Sequence, residues 1–177
     1  MVPGCRDCPP GDVTVARSAF AHEGPARQAV HRLKYAGWRD VATALAGAMV
    51  SVAGPLDADV VTWIPLARRR LAHRGYDQAR ALAVAVGITI DRPVIRLLRR
   101  PVATGPQARR GGADRRVAMR DAFVPVRAAP PRVILVDDVL TTGATVAAGA
   151  GALRRAGARE VVVLTATRSL RGASSRP

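Results

Sequence analysis

Hydrophobic residues recur with helical spacing in the first third of the chain. Between Gly24 and Gly37 they lie on one face of a predicted helix, and the same period continues from Trp38 to Gly54 in a second one. Residues 1–23 are polar and contain several prolines and glycines. This segment therefore predicts a loop or the remnant of a small N-terminal module.

Short apolar runs later in the chain predict strands. These runs cover residues 58–65, 92–98, 132–138 and 159–168. Helical patterns follow at 76–87 and 142–158, and the basic segment 66–75 predicts a turn. Strands that alternate with helices are typical of a parallel sheet covered by helices. The sequence therefore predicts an α/β fold in which residues 132–167 form a βαβ unit.

The composition agrees with a globular protein. The 177 residues are 49% hydrophobic and 23% charged, and this length provides one domain with a sizeable core. Charged residues interrupt each apolar run well before the roughly 20 residues of a membrane span. The N-terminus lacks the basic and apolar regions of an export signal, and two cysteines do not build a disulfide framework. A cytoplasmic location is therefore expected.

The formal net charge of +15 is unevenly distributed. All basic residues except Lys34 are arginines, which is typical of a GC-rich coding bias and weakens the total as evidence of nucleic-acid binding. The segment 65–120, however, contains 14 arginines against three aspartates, a net +11. A localised cationic field favours an anionic partner, either a nucleic acid or a phosphorylated small molecule.

Two adjacent carboxylates, Asp137 and Asp138, follow the most hydrophobic predicted strand. Neighbouring carboxylates repel each other and lose hydration when buried, so stability alone does not explain them. Ligands of parallel sheets bind beyond the C-terminal strand ends, where this pair is expected to leave its strand. A predicted helix start with hydroxyl groups and one glycine comes next: Thr141, Thr142, Gly143 and Thr145. Helix-start amides bind phosphate and carboxylates accept hydrogen bonds from a diol, so the segment predicts a site for a sugar phosphate such as ribose 5-phosphate.

Adjacent carboxylates after a strand also occur in three other kinds of site. An ordinary strand–helix turn, in which one Asp caps the helix, remains open. Nucleotide hydrolysis is excluded because it needs a glycine-rich loop that ends in lysine, and the only lysine, Lys34, lies outside such a loop. A receiver domain is excluded because 39 residues follow Asp138 and provide no later strand-end aspartate for phosphorylation.

The segment VILVDDVLTTGAT, residues 133–145, resembles the phosphoribosyl diphosphate (PRPP) motif of type I phosphoribosyltransferases. Three further segments resemble the ComF-like subfamily, which is associated with DNA-uptake competence. They are LKYAG at 33–37, IPLARRRLAHRGYDQA at 64–79, and TGPQ…RR…AF between 104 and 123. The resemblance covers about residues 24–168. It implies a type I phosphoribosyltransferase-like fold with a flexible loop over the C-terminal strand edge.

This resemblance implies roles for residues of four segments. Asp137 and Asp138 would be the catalytic pair, which holds the ribose hydroxyls directly or through the Mg²⁺ that binds with PRPP. The 5′-phosphate would contact Thr141, Thr142, Gly143, Ala144 and Thr145. The pyrophosphate would face Leu66, Ala67, Arg68 and Arg69, where clustered guanidiniums suit a dense anion. The alternative for the arginines at 68–70 is a solvated basic helix start. The flexible loop, expected at 99–116, would carry Arg99, Arg100, Thr104 and Gln107.

The chain departs from the family pattern at several positions. RGYDQ stands where the family has RGFNQ, and its Asp77 is expected to cap the following helix. Ala118 and Asp121 replace the Asn and Gly that the family commonly has, in the region of the acceptor. The family often begins with two Cys-x-x-Cys pairs that bind zinc, whereas only Cys5 and Cys8 are present here. Two ligands do not complete a tetrahedral site, so no zinc is expected.

These expectations combine into one function and one alternative. The function is binding of PRPP with Mg²⁺ and transfer of the phosphoribosyl group to a nitrogenous acceptor, as a glycosyltransferase that releases pyrophosphate. The alternative is a non-catalytic PRPP-binding protein, or a DNA-uptake accessory protein that binds single-stranded DNA. Expected partners are PRPP, single-stranded DNA or a competence helicase, and a second copy of the chain, but no membrane. Residues 24–170 would form the phosphoribosyltransferase domain, between the remnant at 1–23 and a disordered tail at 171–177.

Overall fold

A computed structural model describes residues 12–36, 39–101 and 122–169. The strands in these segments are β1 (Val15–Ala21), β2 (Val60–Trp63), β3 (Leu98–Arg99), β4 (Val124–Pro125), β5 (Arg132–Leu140) and β6 (Glu160–Arg168). The helices are α1 (Gly24–Ala36), α2 (Arg39–Ala53), α3 (Arg68–Arg74), α4 (Gln78–Thr89) and α5 (Ala144–Arg155). None of the helices in the described segments has the length and hydrophobicity that a membrane span requires.

Four strands form the central sheet in the order β1–β6–β5–β2, and every neighbouring pair is parallel. The two middle strands, β5 and β6, contain continuous apolar runs at 133–136 and 161–164, as expected of strands that are covered on both faces. Helix α5 connects them. The predicted parallel sheet and its βαβ unit are thus confirmed. Strands β3 and β4 form a separate antiparallel pair.

The sheet separates two hydrophobic cores. Helices α1, α2 and α4 pack on one face against residues that include Ile134 and Val136 of β5. Helix α5 and the β3–β4 pair cover the other face, which includes Val133 and Leu135. Neighbouring residues of β5 therefore belong to opposite cores, as the period of two in a strand requires.

The structure corrects the sequence interpretation of two segments before β3. Residues 15–21, expected in a loop, form the edge strand β1, which pairs only with β6 within the sheet. The basic segment 66–75, expected as a turn, contains the short helix α3, in which no residue is buried. Gly75 ends α3 in the left-handed conformation, with φ 77°. Strand β1 and helix α3 are both partly or fully exposed to solvent, so neither has the apolar repeat from which a strand or helix is predicted.

Two strand boundaries also differ from expectation. Residues 92–98 were expected to form a strand, but they contribute only a bridge between Val94 and Val61 and the first residue of β3. Strand β5 continues to Leu140, so the acid pair lies inside the strand instead of leaving it. Several predicted features lie outside the described residues: the cysteine pair, Thr104, Gln107, Ala118, Asp121 and the tail.

Candidate functional site at the C-terminal end of β5

The acid pair lies near the C-terminal end of a central strand. Asp137 pairs in register with Thr165 of β6. The carboxyl groups of Asp137 and Asp138 lie close together, because a side-chain hydrogen bond with Asp138 is among the causes of the raised pKa of Asp137. Asp138 is buried, with 7% of its surface exposed, whereas Asp137 is partly buried. The two carboxylates therefore have different surroundings.

Asp137 is in an unfavourable environment for a negative charge. Burial raises its pKa well above the ordinary value of 3.8, and the neighbouring charge of Asp138 raises the pKa further. The backbone N–H of Asp138 donates a hydrogen bond of 2.9 Å to Asp137 Oδ1 and only partly offsets these effects. A carboxylate with a strongly raised pKa at a strand end is typical of binding and catalytic sites.

Asp138 is contacted from the first residue of α4. Gln78 Nε2 donates a long hydrogen bond of 3.5 Å to Asp138 Oδ2. Gln78 is 5% exposed, and its Oε1 atom has no hydrogen-bond partner among the described residues. The sequence interpretation gave Gln78 no role, because it lies 60 positions from Asp138 and no local pattern reveals their contact.

The turn after β5 begins helix α5. Gly143 is the residue before the helix and has φ 77°, a conformation that other residues adopt only with strain. Thr142 Oγ1 accepts a hydrogen bond of 3.4 Å from the N–H of Ala144, while Thr141 and Thr142 are exposed to solvent. The first amides of α5 have no acceptor within the helix, and the positive end of its dipole lies at this turn. Thr145 is partly buried in the first turn of α5.

Asp77 connects the turn after β2 with the start of α4. Its Oδ1 atom accepts hydrogen bonds from the N–H groups of Ala79 at 3.1 Å and Arg80 at 3.3 Å, which confirms the expected helix cap. Its Oδ2 atom accepts from Leu66 N at 3.1 Å and from Trp63 Nε1 at 3.2 Å. The sequence interpretation missed this second pair of bonds. They fix the conformation of the turn that was predicted to face pyrophosphate.

The predicted pyrophosphate residues lie where β2 leads into α3. Leu66 and Ala67 are partly buried in the turn, and Ala67 directly precedes the helix. Arg68 and Arg69 are exposed in the first turn of α3. Exposed guanidiniums at a strand end are accessible to an anion from solution.

Of the predicted loop residues, Arg99 and Arg100 are described, and they differ in burial. Arg99 is exposed, whereas Arg100 is partly buried, with its guanidinium carbon 5.0 Å from the centroid of the Phe123 ring. Burial lowers the pKa of Arg100, the positive charge of Arg70 lowers it further, and Asp137 opposes both effects. Arg100 is therefore within electrostatic reach of both Arg70 and Asp137.

A row of hydroxyl groups extends from the acid pair across β6 to β1. Thr165 and Thr167 are both 0% exposed. The hydroxyl of Thr165 shares a hydrogen bond of 2.7 Å with Ser18, and that of Thr167 shares one of 2.8 Å with His22 Nδ1. The polar character of this sheet edge thus involves three neighbouring strands. Isolated threonines in an apolar run did not reveal it from the sequence.

The donor set at the acid pair fits a divalent cation that arrives with a phosphorylated ligand. Among the residues that the structure describes, no cluster of three or more His, Cys, Asp or Glu side chains could hold a metal ion. Mg²⁺ commonly binds one or two carboxylates and completes its shell with substrate phosphates and water. Asp137 and Asp138 would be the residues that hold it.

Comparison with known proteins gives two curated relatives. Both are named DNA utilization protein YhgH, one from Salmonella typhi with 33% identity over 156 residues and one from Salmonella typhimurium strain LT2 with 32% over 155 residues. Each alignment covers 80% of this chain and 66% of the relative, so the chain spans just under two thirds of the relatives' length. No protein-family model matches the chain.

A solved structure of the allosteric regulatory enzyme of purine biosynthesis is similar in fold. The TM-score is 0.54 with 25% sequence identity, over 77% of this chain and 30% of that chain. The expected fold class is confirmed: the protein is α/β and type I phosphoribosyltransferase-like, with a central parallel sheet flanked by helices. The flexible loop of that expectation lies mostly outside the described residues.

Proposed function

We propose that the chain is a ComF-type phosphoribosyltransferase that binds PRPP with Mg²⁺ and transfers its phosphoribosyl group to a nitrogenous acceptor. The observation that carries the proposal is the sequence of features at the end of β5. A carboxylate pair, one member with a strongly raised pKa, is followed within a few residues by a glycine-initiated helix. A sugar phosphate with a vicinal diol is complementary to both features.

In this proposal the protein acts by positioning and electrostatics. Asp137 and Asp138 accept hydrogen bonds from the ribose hydroxyls, and the first amides of α5 hold the 5′-phosphate. The turn at Leu66 and the arginines of α3 face the pyrophosphate, which leaves with both electrons of the bond to ribose C1. Mg²⁺, when bound with PRPP, neutralises charge on the pyrophosphate. No side chain needs to attack, because the acceptor nitrogen is the nucleophile.

The relatives give independent support for part of this proposal and suggest a second candidate. Their name connects them with DNA utilization, which agrees with the resemblance to competence-associated proteins. The same name, together with the net charge of +15, favours a binding function toward single-stranded DNA as the alternative. Aromatic residues make up only 3% of the chain, so the stacking platforms that single-strand binders use are scarce.

Titration calorimetry with PRPP and Mg²⁺, followed by a screen of nitrogenous bases for pyrophosphate release, tests the proposal. We expect Mg²⁺-dependent PRPP binding, and pyrophosphate release with at least one base. Binding without release from any base would support a PRPP sensor. No PRPP binding, together with a salt-dependent affinity for single-stranded DNA, would contradict the proposal and support the DNA-binding alternative.

A further inference from the structure

Two adjacent residues at the start of α4 contact both halves of the proposed site. Asp77 accepts a hydrogen bond from Leu66 N at 3.1 Å, in the turn assigned to the pyrophosphate. Gln78 donates one of 3.5 Å to Asp138, in the acid pair assigned to the ribose. The start of α4 is therefore a direct physical connection between two chain segments that lie more than 60 residues apart in sequence.

The contacts of Asp77 exceed what a helix cap requires. A cap needs one side-chain oxygen that accepts from the first amides of the helix, and Oδ1 fulfils this role with Ala79 and Arg80. The other oxygen, Oδ2, accepts from the turn amide of Leu66 and from the indole N–H of Trp63. A residue with a single acceptor oxygen would cap α4 equally well but would leave the turn unattached.

The burial of Gln78 is also poorly explained by stability. Its side chain is 95% buried, given its 5% exposure, and its Oε1 atom finds no partner among the described residues. A buried amide oxygen without a hydrogen bond destabilises a fold, and an apolar side chain of the same shape would avoid this cost. The contact of Nε2 with Asp138 is the interaction that an apolar residue could not provide.

We propose that Asp77 and Gln78 are positioning residues, which hold the Leu66 turn and the Asp138 carboxylate at a fixed separation. The site would then select ligands that reach both halves, namely five-carbon sugar phosphates that carry a diphosphate group. This inference rests on the proposed function and assigns parts of the ligand to separate anchors. Gln78 acts on the sugar half through Asp138, and Asp77 acts on the diphosphate half through Leu66.

Calorimetry with three probes in the presence of Mg²⁺ separates the two anchors: ribose 5-phosphate, inorganic pyrophosphate and PRPP. The substitution Gln78→Met keeps the side-chain shape and removes both polar atoms. We expect it to weaken the binding of ribose 5-phosphate and of PRPP by about tenfold, because a hydrogen bond to a charged group is lost. Pyrophosphate affinity and the melting temperature should stay unchanged or rise. Gln28→Met, at an exposed position of α1, is the matched control and should change none of these values.

The substitution Asp77→Ser tests the other anchor. Serine retains one oxygen that caps α4, but it is too short to reach Leu66 and Trp63 as well. We expect pyrophosphate and PRPP to bind about tenfold more weakly and ribose 5-phosphate to bind as before. Asp40→Ser, in the first turn of α2, removes an exposed carboxylate of the same kind and should leave all three affinities unchanged.

The outcomes distinguish this inference from the function on which it rests. If the wild-type chain binds PRPP but both variants retain all three affinities, or lose them equally for every probe, the positioning roles are wrong and the proposed function stands. If the melting temperature of Gln78→Met decreases in parallel with its affinity, Gln78 has a structural role only. If the wild-type chain binds none of the three probes, the proposed function fails and this inference fails with it.

Discussion

Strand β5 carries charged residues at both ends, and the two ends differ in how those charges are compensated. At the N-terminal end, Arg132 forms salt bridges with Asp57 and Asp59. Hydrogen bonds from the Arg132 side chain and backbone lower the pKa of Asp59. At the C-terminal end, burial and a like charge raise the pKa of Asp137 instead.

The charges at the N-terminal end of β5 stabilise the fold, whereas those at the C-terminal end are typical of a ligand-binding site. The carboxylates near Arg132 are already satisfied within the folded chain, and they lie at the sheet edge opposite the proposed site. The charged form of Asp137 is unfavourable in the folded chain, and a cation or hydroxyl donors near this carboxylate would stabilise it. Local conflicts of this kind are expected at functional positions, where stability is lost in exchange for binding.

The largest effect is expected when the charges of the acid pair at the C-terminal end of β5 are removed. The double substitution Asp137→Asn with Asp138→Asn should reduce Mg²⁺-dependent PRPP affinity by at least about 100-fold, because two charge-assisted contacts are lost. The melting temperature should stay the same or rise, since the repulsion between the carboxylates disappears. Calorimetry and thermal unfolding measure the two quantities. An unchanged affinity would show that the acid pair is not the ribose site.

The second prediction compares two glycines with nearly equal left-handed backbone conformations. Gly143 has φ 77° beside the acid pair, and Gly54 has φ 71° far from it. Alanine at either position should lower the free energy of unfolding by about 1 kcal/mol, measured by urea denaturation. Only Gly143→Ala should also weaken PRPP binding, by roughly tenfold, because the amides of α5 shift. Equal affinities of the two variants would contradict a phosphate site at this turn.

The third prediction concerns pH, because the carboxylates at the two ends of β5 change the free energy of unfolding in opposite directions as pH rises. Above pH 3.8, the ordinary value, and up to its raised pKa, Asp137 holds its proton more tightly in the folded than in the unfolded state. The free energy of unfolding therefore falls as pH rises through this window. Asp59, whose pKa is lowered, contributes stability that is present above pH 3.8 and is lost as pH falls through its folded pKa.

Urea denaturation between about pH 3 and pH 8, without ligand, measures both contributions. Asp137→Asn should remove the decrease in the free energy of unfolding that occurs as pH rises above 3.8. Asp59→Asn should remove the loss of stability that occurs as pH falls to 3.8 and below. The substitution Asp40→Asn, at an exposed position of α2, serves as a control for the loss of one carboxyl group. Parallel curves for wild type and Asp137→Asn would contradict the buried, proton-holding state of Asp137.

The smallest effect is expected at the N-terminal end. The substitution Arg132→Met should lower the melting temperature slightly, because exposed salt bridges contribute little to stability. PRPP affinity should not change, since Arg132 lies at the opposite end of the strand from the acid pair. Differential scanning calorimetry and a PRPP titration of the same preparation measure the two quantities. A loss of affinity here would remove the functional distinction between the two ends.

The sequence predicts the centre of the fold well because its signals are local there. The continuous apolar runs of β5 and β6, with a helical pattern between them, leave one simple arrangement. Strand β1 was missed because an edge strand is partly solvated, so its residues, such as Arg17 and Ser18, do not form an apolar run. Helix α3 was predicted only as an alternative, a solvated helix start, because it buries no residue and so gives no apolar repeat.

The same distinction between local and long-range signals applies to the candidate site. Asp137, Asp138 and the threonine turn are contiguous in sequence, so a pattern of a dozen residues was sufficient to predict them together. The contacts of Gln78 with Asp138 and of Asp77 with Leu66 connect separate elements. Such contacts depend on how α4 packs against β2 and β5, and no spacing rule within one segment contains that information.

The strand order also limits how the chain assembles during synthesis. In the described part of the chain, β1 pairs within the sheet with β6 alone, and β2 pairs with β5 apart from the single bridge of Val61 to Val94. Both early strands therefore wait for a strand that the ribosome makes more than 60 positions later. The sheet therefore forms around the parallel β5–β6 pair after most of the chain has emerged. Until then β1 and β2 lack their strand partners, and unpaired strand edges of this kind make a partly folded chain prone to aggregation.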